Sequence, residues 1–169
     1  MEQPTSSHEK TVENFSNIVQ TNLKEEQRAL FIGEKYKEYY QSRFEKITPK
    51  KQMVGFHWAA FFLTFAWMFY RKMYVLGFGF LVLMITLSLI LENLGMSNSS
   101  TGIGLSVVCG LMGNAIYMQF VDKKIEKINA GFNTEDEINR EIQKQGGTNP
   151  IALGISIAII IILVMFSIQ

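Results

Sequence analysis

Three groups of residues in this chain are of types that could do chemistry. The first is Tyr70-Arg71-Lys72, which follows an aromatic run containing Trp58 and Trp67. A planar guanidinium offers a bidentate fork to phosphate or carboxylate, so these residues could hold a lipid headgroup or an acidic partner. The plainer role is anchoring, because aromatic rings and cations are the expected residues at a membrane boundary. The second group is Ser106, Cys109, Gly110, Gly113, Asn114 and Tyr117. Their offsets of 0, 3, 4, 7, 8 and 11 put small and polar side chains on one helical face. Such a face lets helices pack closely, or it lines a path for a substrate or ion. The third is His57, which has no Ser, Cys or paired carboxylate beside it in sequence. It reads as an interfacial residue rather than a catalytic base.

Other chemistry is not supported. Cys109 is the only cysteine and the two histidines, His8 and His57, are 49 positions apart, so neither a disulfide nor a zinc site can be drawn. There is no Walker loop, HExxH, GxSxG or dinucleotide fingerprint. Glu92-Asn93 suits the end of a span, and Glu135, Asp136 and Glu137 suit a helix N-terminus through the macrodipole. No enzyme, cofactor or metal is expected.

The elements that must position these residues are written in the charge pattern. All 16 Lys and Arg fall between Lys10 and Lys72 or between Lys123 and Lys144. The polar stretch Glu92 to Thr101 has none, and apolar runs flank it at 74–91 and 102–121. Basic segments outside two apolar runs, with an uncharged-to-acidic loop between them, form the positive-inside pattern of an integral membrane protein. Apolar residues make up 48% of the chain and net charge is +1, so nothing calls for nucleic acid. Through Lys51 the chain carries nine basic and eight acidic residues, a balance that argues against a polybasic lipid or RNA arm. The first twenty residues are polar, without the apolar core of a signal peptide.

The resulting fold class is an all-α integral membrane protein with cytosolic amphipathic N-terminal helices, one aromatic re-entrant or interfacial helix, and three transmembrane helices. Residues 1–10 are expected to be a disordered tail, 11–55 a cytosolic helical region and 56–169 a membrane domain. An amphipathic helix is expected from Thr11 to about Phe31, with Val12, Phe15, Ile18, Val19 and Leu23 on one side. Gly33 interrupts it. A second helix is expected from Glu34 to Ile47, with Tyr36, Tyr39, Tyr40, Phe44 and Ile47 in one stripe. That stripe faces either a membrane surface or the protein's own membrane helices. The run 56–69 is about 21 Å long as a helix, short of the roughly 30 Å hydrocarbon core. As a re-entrant or interfacial helix, 56–72 keeps Arg71 and Lys72 on the basic side. As a span it would strand them outside and invert every later span. Spans are expected at 74–91, 102–121 and 151–168, with a cytosolic helical linker at 122–149. Within the linker the helix of the second span continues to about Gly131. Thr134 to Glu137 forms a capping box for a short helix carrying Ile138 and Ile142, closed by Gly146-Gly147. Asn98-Ser99-Ser100 fits an N-glycosylation acceptor.

The segment Phe56-His-Trp-Ala-Ala-Phe-Phe, followed by Trp67-Met-Phe-Tyr-Arg-Lys-Met-Tyr74, resembles the signature of small bacterial membrane proteins grouped as domain of unknown function 2628. Phe31-Ile-Gly33 with Tyr39-Tyr40 and Phe44, and Gly110-Leu-Met-Gly-Asn114 with Tyr117, match in the same order. The resemblance covers roughly residues 31–120. Where many such proteins have Asn this chain has His57, and it lacks the cysteines of the N-terminal zinc ribbon that some carry. The resemblance implies a bacterial cytoplasmic-membrane protein and supplies no activity.

The expected function is a non-enzymatic, multi-pass membrane module with its N-terminus in the cytoplasm and its C-terminus outside. Its partners would be the lipid bilayer, copies of itself or a membrane-protein partner. An oligomeric channel or uncoupled small transporter, lined through Ser106, Gly113 and Asn114, is the alternative. No Asp, Glu, Lys, Arg or His lies within 74–91, 102–120 or 151–168, which argues against ion-coupled transport. A toxin or immunity-type small membrane protein is a further alternative.

Overall fold

The computed structural model describes residues 7–95 and 99–167. Helix α1 runs Ser7–Ile32 and stops where Gly33 adopts φ +81°, a left-handed conformation that glycine tolerates without strain. A π-helical turn, Tyr36–Tyr40, leads into α2, Gln41–Phe44. Then come α3 (Trp58–Leu63), α4 (Phe65–Tyr70), α5 (Tyr74–Asn93), α6 (Ser99–Gly131), α7 (Glu135–Gln145) and α8 (Pro150–Ser167). Among the described residues there is no strand, only an isolated bridge between Thr48 and Lys51.

Among the described residues, three helical stretches are long and apolar enough to cross a membrane: 74–93, 102–131 and the stretch 135–162, whose apolar part belongs to α8. They are the three expected from the apolar runs. Helix α6 is longer than a bilayer requires, and its charged end, from Asp122 onward, continues without a break to Gly131. Thr134 caps α7: its hydroxyl accepts from the Glu137 backbone N–H and donates to the Glu137 carboxylate at 2.8 Å. Pro150 opens α8, where its missing N–H costs nothing.

Three boundaries differ from expectation. Helix α1 starts at Ser7, before Thr11, while residues 1–6 lie outside the described part. The second helix ends at Phe44 rather than Ile47, because the backbone tightens there: Lys46 N–H bonds to Arg43 and Ile47 N–H to Phe44, each three residues back. The aromatic run is two six-residue helices and not one, broken at Thr64, whose φ of 42° no continuous helix allows. The break has a packing cause. Helix α3 lies on α6, whereas α4 lies between α5 and α8, and one straight helix could not face both. Asn98 of the glycosylation motif lies outside the described residues.

The core sits where the end of α1, the 36–44 segment, α3, α4, α7 and one face of α6 meet. That face is Asn114, Tyr117, Val121, Ile125 and Ile128, spaced by three or four residues and buried throughout. Phe31, Tyr36, Tyr40, Phe44, Trp67, Met73 and Ile142 pack against it. The aromatic stripe of 36–44 therefore turns inward: Tyr36, Tyr40 and Phe44 are at most 3% exposed. The apolar stripe of α1 does not; Val12, Phe15, Ile18, Val19 and Leu23 are all exposed. Helix α5 buries only Gly77, against the ring of Phe69.

Candidate functional site

Tyr40 is the centre of a buried polar group among aromatic rings. Its hydroxyl lies 3.1 Å from His57 Nε2 and receives a hydrogen bond from Arg71 Nη2 at 3.2 Å. His57 is held by three elements. Its backbone N–H bonds to the Gly110 carbonyl on α6 at 2.8 Å, its Nδ1 accepts from the Ala60 N–H at the start of α3 at 3.1 Å, and Trp67 of α4 packs on its ring at 4.5 Å. An accepting Nδ1 means that the neutral ring carries its proton on Nε2, facing Tyr40.

Burial lowers the His57 pKa to about 4, helped by the Arg71 charge and, to a lesser extent, by Arg43. His57 is therefore neutral in the folded protein near pH 7. The folded ring has a depressed pKa and the unfolded ring titrates near 6.5, so the unfolded state alone takes up a proton as pH falls through 6.5. The His57 contribution to stability is expected to be complete above pH 6.5 and to be lost progressively towards pH 4, by roughly 3 kcal/mol at the limit. His57→Asn removes the titration. Thermal unfolding of the purified protein between about pH 7 and about pH 4.5 is expected to give a distinctly flatter profile for that variant. Parallel profiles would assign the acid sensitivity to other groups.

The first predicted group is split by the structure. Trp58 is 62% exposed, whereas Trp67 is 2% exposed and sits between His57 and Tyr117. Trp67 faces the core and not a boundary, because α4 turns its ring towards α6. Tyr70 is half-buried, and its carbonyl accepts from Asn149 N–H at 2.7 Å. Arg71 is 6% exposed. Lys72 takes φ 59° at the turn into α5, and its ammonium bonds to the carbonyls of Lys144 and Gly146 at the end of α7. Arg71, Tyr40 and His57 open onto a cleft of about 440 Å³ that Trp58, Tyr70, Lys35 and Glu38 also line.

The second group is brought together on α6, against residues 54–67 of the same chain. A Cβ on Gly110 would lie 2.5 Å from the Phe56 ring, and one on Gly113 would lie 2.9 Å from Ala60 Cβ. Asn114, fully buried, donates from Nδ2 to the carbonyls of Val54 at 2.9 Å and Gly55 at 3.3 Å. Tyr117 stacks among Tyr40, Trp67 and Phe120, and Cys109 is buried nearby on the same face. Ser106 bonds to the Gly102 carbonyl of its own helix. Among the described residues no group of three or more His, Cys, Asp or Glu could hold a metal ion.

Two features carry no local sequence signal. Arg28 of α1 grips Asp122 of α6 in two bonds of 2.8 Å and Glu25 in one of 2.9 Å. Burial alone would lower the Arg28 pKa, but Asp122 and Glu25 raise it above the usual guanidinium value and keep the charge. Asn149 ties α8 to its neighbours: its Oδ1 accepts from Ala152 N–H at 3.0 Å and its Nδ2 donates to the Tyr74 hydroxyl at 2.8 Å. Arg28–Asp122 spans 94 positions and Asn149–Tyr74 spans 75, which places both beyond any periodicity argument.

Comparison with known families gives one finding: the model described as "Protein of unknown function (DUF2628)" matches residues 20–123, more than half of the chain. No curated protein and no solved structure matches it.

Proposed function

The chain belongs to the DUF2628 family, whose description assigns no reaction, and from that premise we propose that it is a non-enzymatic membrane module. In this reading it sits in a bacterial cytoplasmic membrane, spans it at 74–91, 102–121 and 151–168, and associates there with lipid, a partner or its own copies. One observation carries the reading. Only 6% of the apolar window of α5 is buried, and 11% of the window that includes α8, so both present apolar surface along nearly their whole length. In a bilayer that surface is covered by acyl chains or by other helices.

The re-entrant reading of the aromatic segment is supported by size and attachment. Helices α3 and α4 have six residues each, roughly 9 Å of rise, far short of a bilayer. They are tied to the 36–44 segment and to α6 at the level of Gly110 to Tyr117. In this reading Arg71 and Lys72 lie on the side of the basic segments, with the N-terminus in the cytoplasm and the C-terminus outside.

The channel alternative gains no support from the α6 face, since its glycines and Asn114 are covered by the protein's own residues 54–60. Asn114→Leu separates the two readings. Under packing, the variant strands the Val54 and Gly55 carbonyls and destabilises the fold by about 1–3 kcal/mol. Under a pore, it would instead alter ion flux in liposomes while the thermal midpoint stays put. The test of association is native mass spectrometry of the full chain released from lipid nanodiscs. The expected result is a defined complex with phospholipid, a second protein or further copies. A bare, lipid-free monomer would overturn the reading.

A further inference from the structure

Arg28 and Arg71 are both buried in this chain, and their charges are met differently. Arg28 has Asp122 and Glu25. Arg71, no more exposed at 6%, has no carboxylate among the described residues. Its Nη2 is spent on Tyr40, its Nε has no hydrogen-bond partner, and its guanidinium carbon lies 5.1 Å from the ring centroids of Tyr40 and Tyr117. Aromatic faces offset part of the desolvation of a cation, but they accept none of its in-plane N–H bonds. A buried arginine without a counter-charge is a costly arrangement that an anion would relieve.

The neighbours supply donors. With the His57 proton on Nε2, the Tyr40 oxygen accepts from both His57 and Arg71. Burial raises the Tyr40 pKa, Arg71 opposing, so the phenol keeps its own proton. No acceptor among the described residues takes that proton. Arg43 adds positive charge nearby, stacked 3.6 Å above Tyr39 with its Nε also unpartnered. The rim carboxylate, Glu38, is engaged by Lys35 at 2.5 Å.

We propose that this cleft binds a phosphate group carried on an organic body, with Arg71 and the Tyr40 hydroxyl on its oxygens and Trp58 and Tyr70 against the rest. A guanidinium edge plus a converging hydroxyl suits the several oxygens of a phosphate. The cleft, about 440 Å³, has room for more than a bare inorganic ion. A phospholipid headgroup and a soluble phosphate ester share this chemistry. The lipid source rests on the proposed placement of 56–72 at the membrane boundary; the phosphate site itself does not.

The test uses the full chain in phosphate-free maltoside detergent, titrated at constant ionic strength in two arms. One arm adds short-chain phosphatidylglycerol and the other glycerol phosphate, with chloride as the control. The emission of Trp58, which lines the cleft, and of Trp67, which packs on His57 behind it, reports binding. Saturable binding in the wild type is expected, weakened about tenfold or more by Arg71→Gln, less by Arg71→Lys, and unchanged by Lys50→Gln. Response to the lipid alone identifies a headgroup site, and response to both identifies a site open to solution. No saturable response in either arm, or one that survives Arg71→Gln in full, overturns the proposal. If Arg71→Gln does not fold, the wild-type titration and Arg71→Lys still decide it. A chain that stays soluble without detergent would sink the membrane reading instead, and the glycerol phosphate arm would then judge the site alone.

Discussion

Gly146→Ala is expected to destabilise the folded chain by about 3 kcal/mol or more, and Gly147→Ala, one residue on, by only about 1 kcal/mol. The two glycines are needed for different reasons. A Cβ on Gly146 would lie 2.2 Å from the carbonyl oxygen of Phe31 and 2.8 Å from its Cα and carbonyl carbon. These are backbone atoms of α1, so no side chain can swing aside. The two segments must separate, and the same movement breaks the 2.7 Å bond from Gly147 N–H to the Phe31 carbonyl. That bond satisfies one of the last carbonyls of α1, which has no partner inside its own helix. Phe31 and Ile142, both essentially unexposed, pack beside this contact and would loosen with it. Gly147 has nothing within 4 Å of its notional Cβ and needs only its φ of +75°. Thermal unfolding of both variants in the same detergent measures the difference. Equal midpoints would mean that α7 does not dock on α1 this closely.

This contact also shows where the sequence stops being legible. Gly146 reads as the end of a helix, which it is, but its lack of a side chain serves a helix more than a hundred positions away. The spans were legible because hydrophobicity is read along the chain, and the capping box at Thr134 was legible because its parts are three residues apart. The stripe Tyr36, Tyr40 and Phe44 could be read as a stripe; that it faces α6 and not lipid is a tertiary fact. The break at Thr64 was hidden, since an unbroken aromatic run has no period to interrupt. In sequence, Arg71 reads as a boundary cation because cations beside clustered aromatic residues usually are. Its burial follows from α4 turning between α5 and α8, and from Tyr40 reaching it across 31 positions.

Asp122→Ala is expected to destabilise the protein by about 3 kcal/mol, and Arg28→Ala by a similar amount. Asp122 is the strongest partner of a guanidinium that is 9% exposed at its side chain, and its loss leaves Arg28 with Glu25 alone. Lys24, which also reaches Asp122 at 3.0 Å, is half exposed and cannot compensate, because exposed pairs contribute little. The pair holds α1 against α6 at the point where α6 changes from apolar to charged. The reciprocal amide pair of Gln27 and Asn129, at 3.0 Å in both directions, continues the same seam further along α6. Removing both charges together should restore much of the loss, since the cost of a broken buried pair lies chiefly in the charge left behind. Arg28→Met with Asp122→Leu is therefore expected to be more stable than either single alanine variant. The wild type, Arg28→Met, Asp122→Leu and the double variant, compared in one thermal-unfolding series, give the coupling directly. Additive losses, with no recovery in the double variant, would mean that the two helices are held by their apolar faces and that the ion pair is incidental.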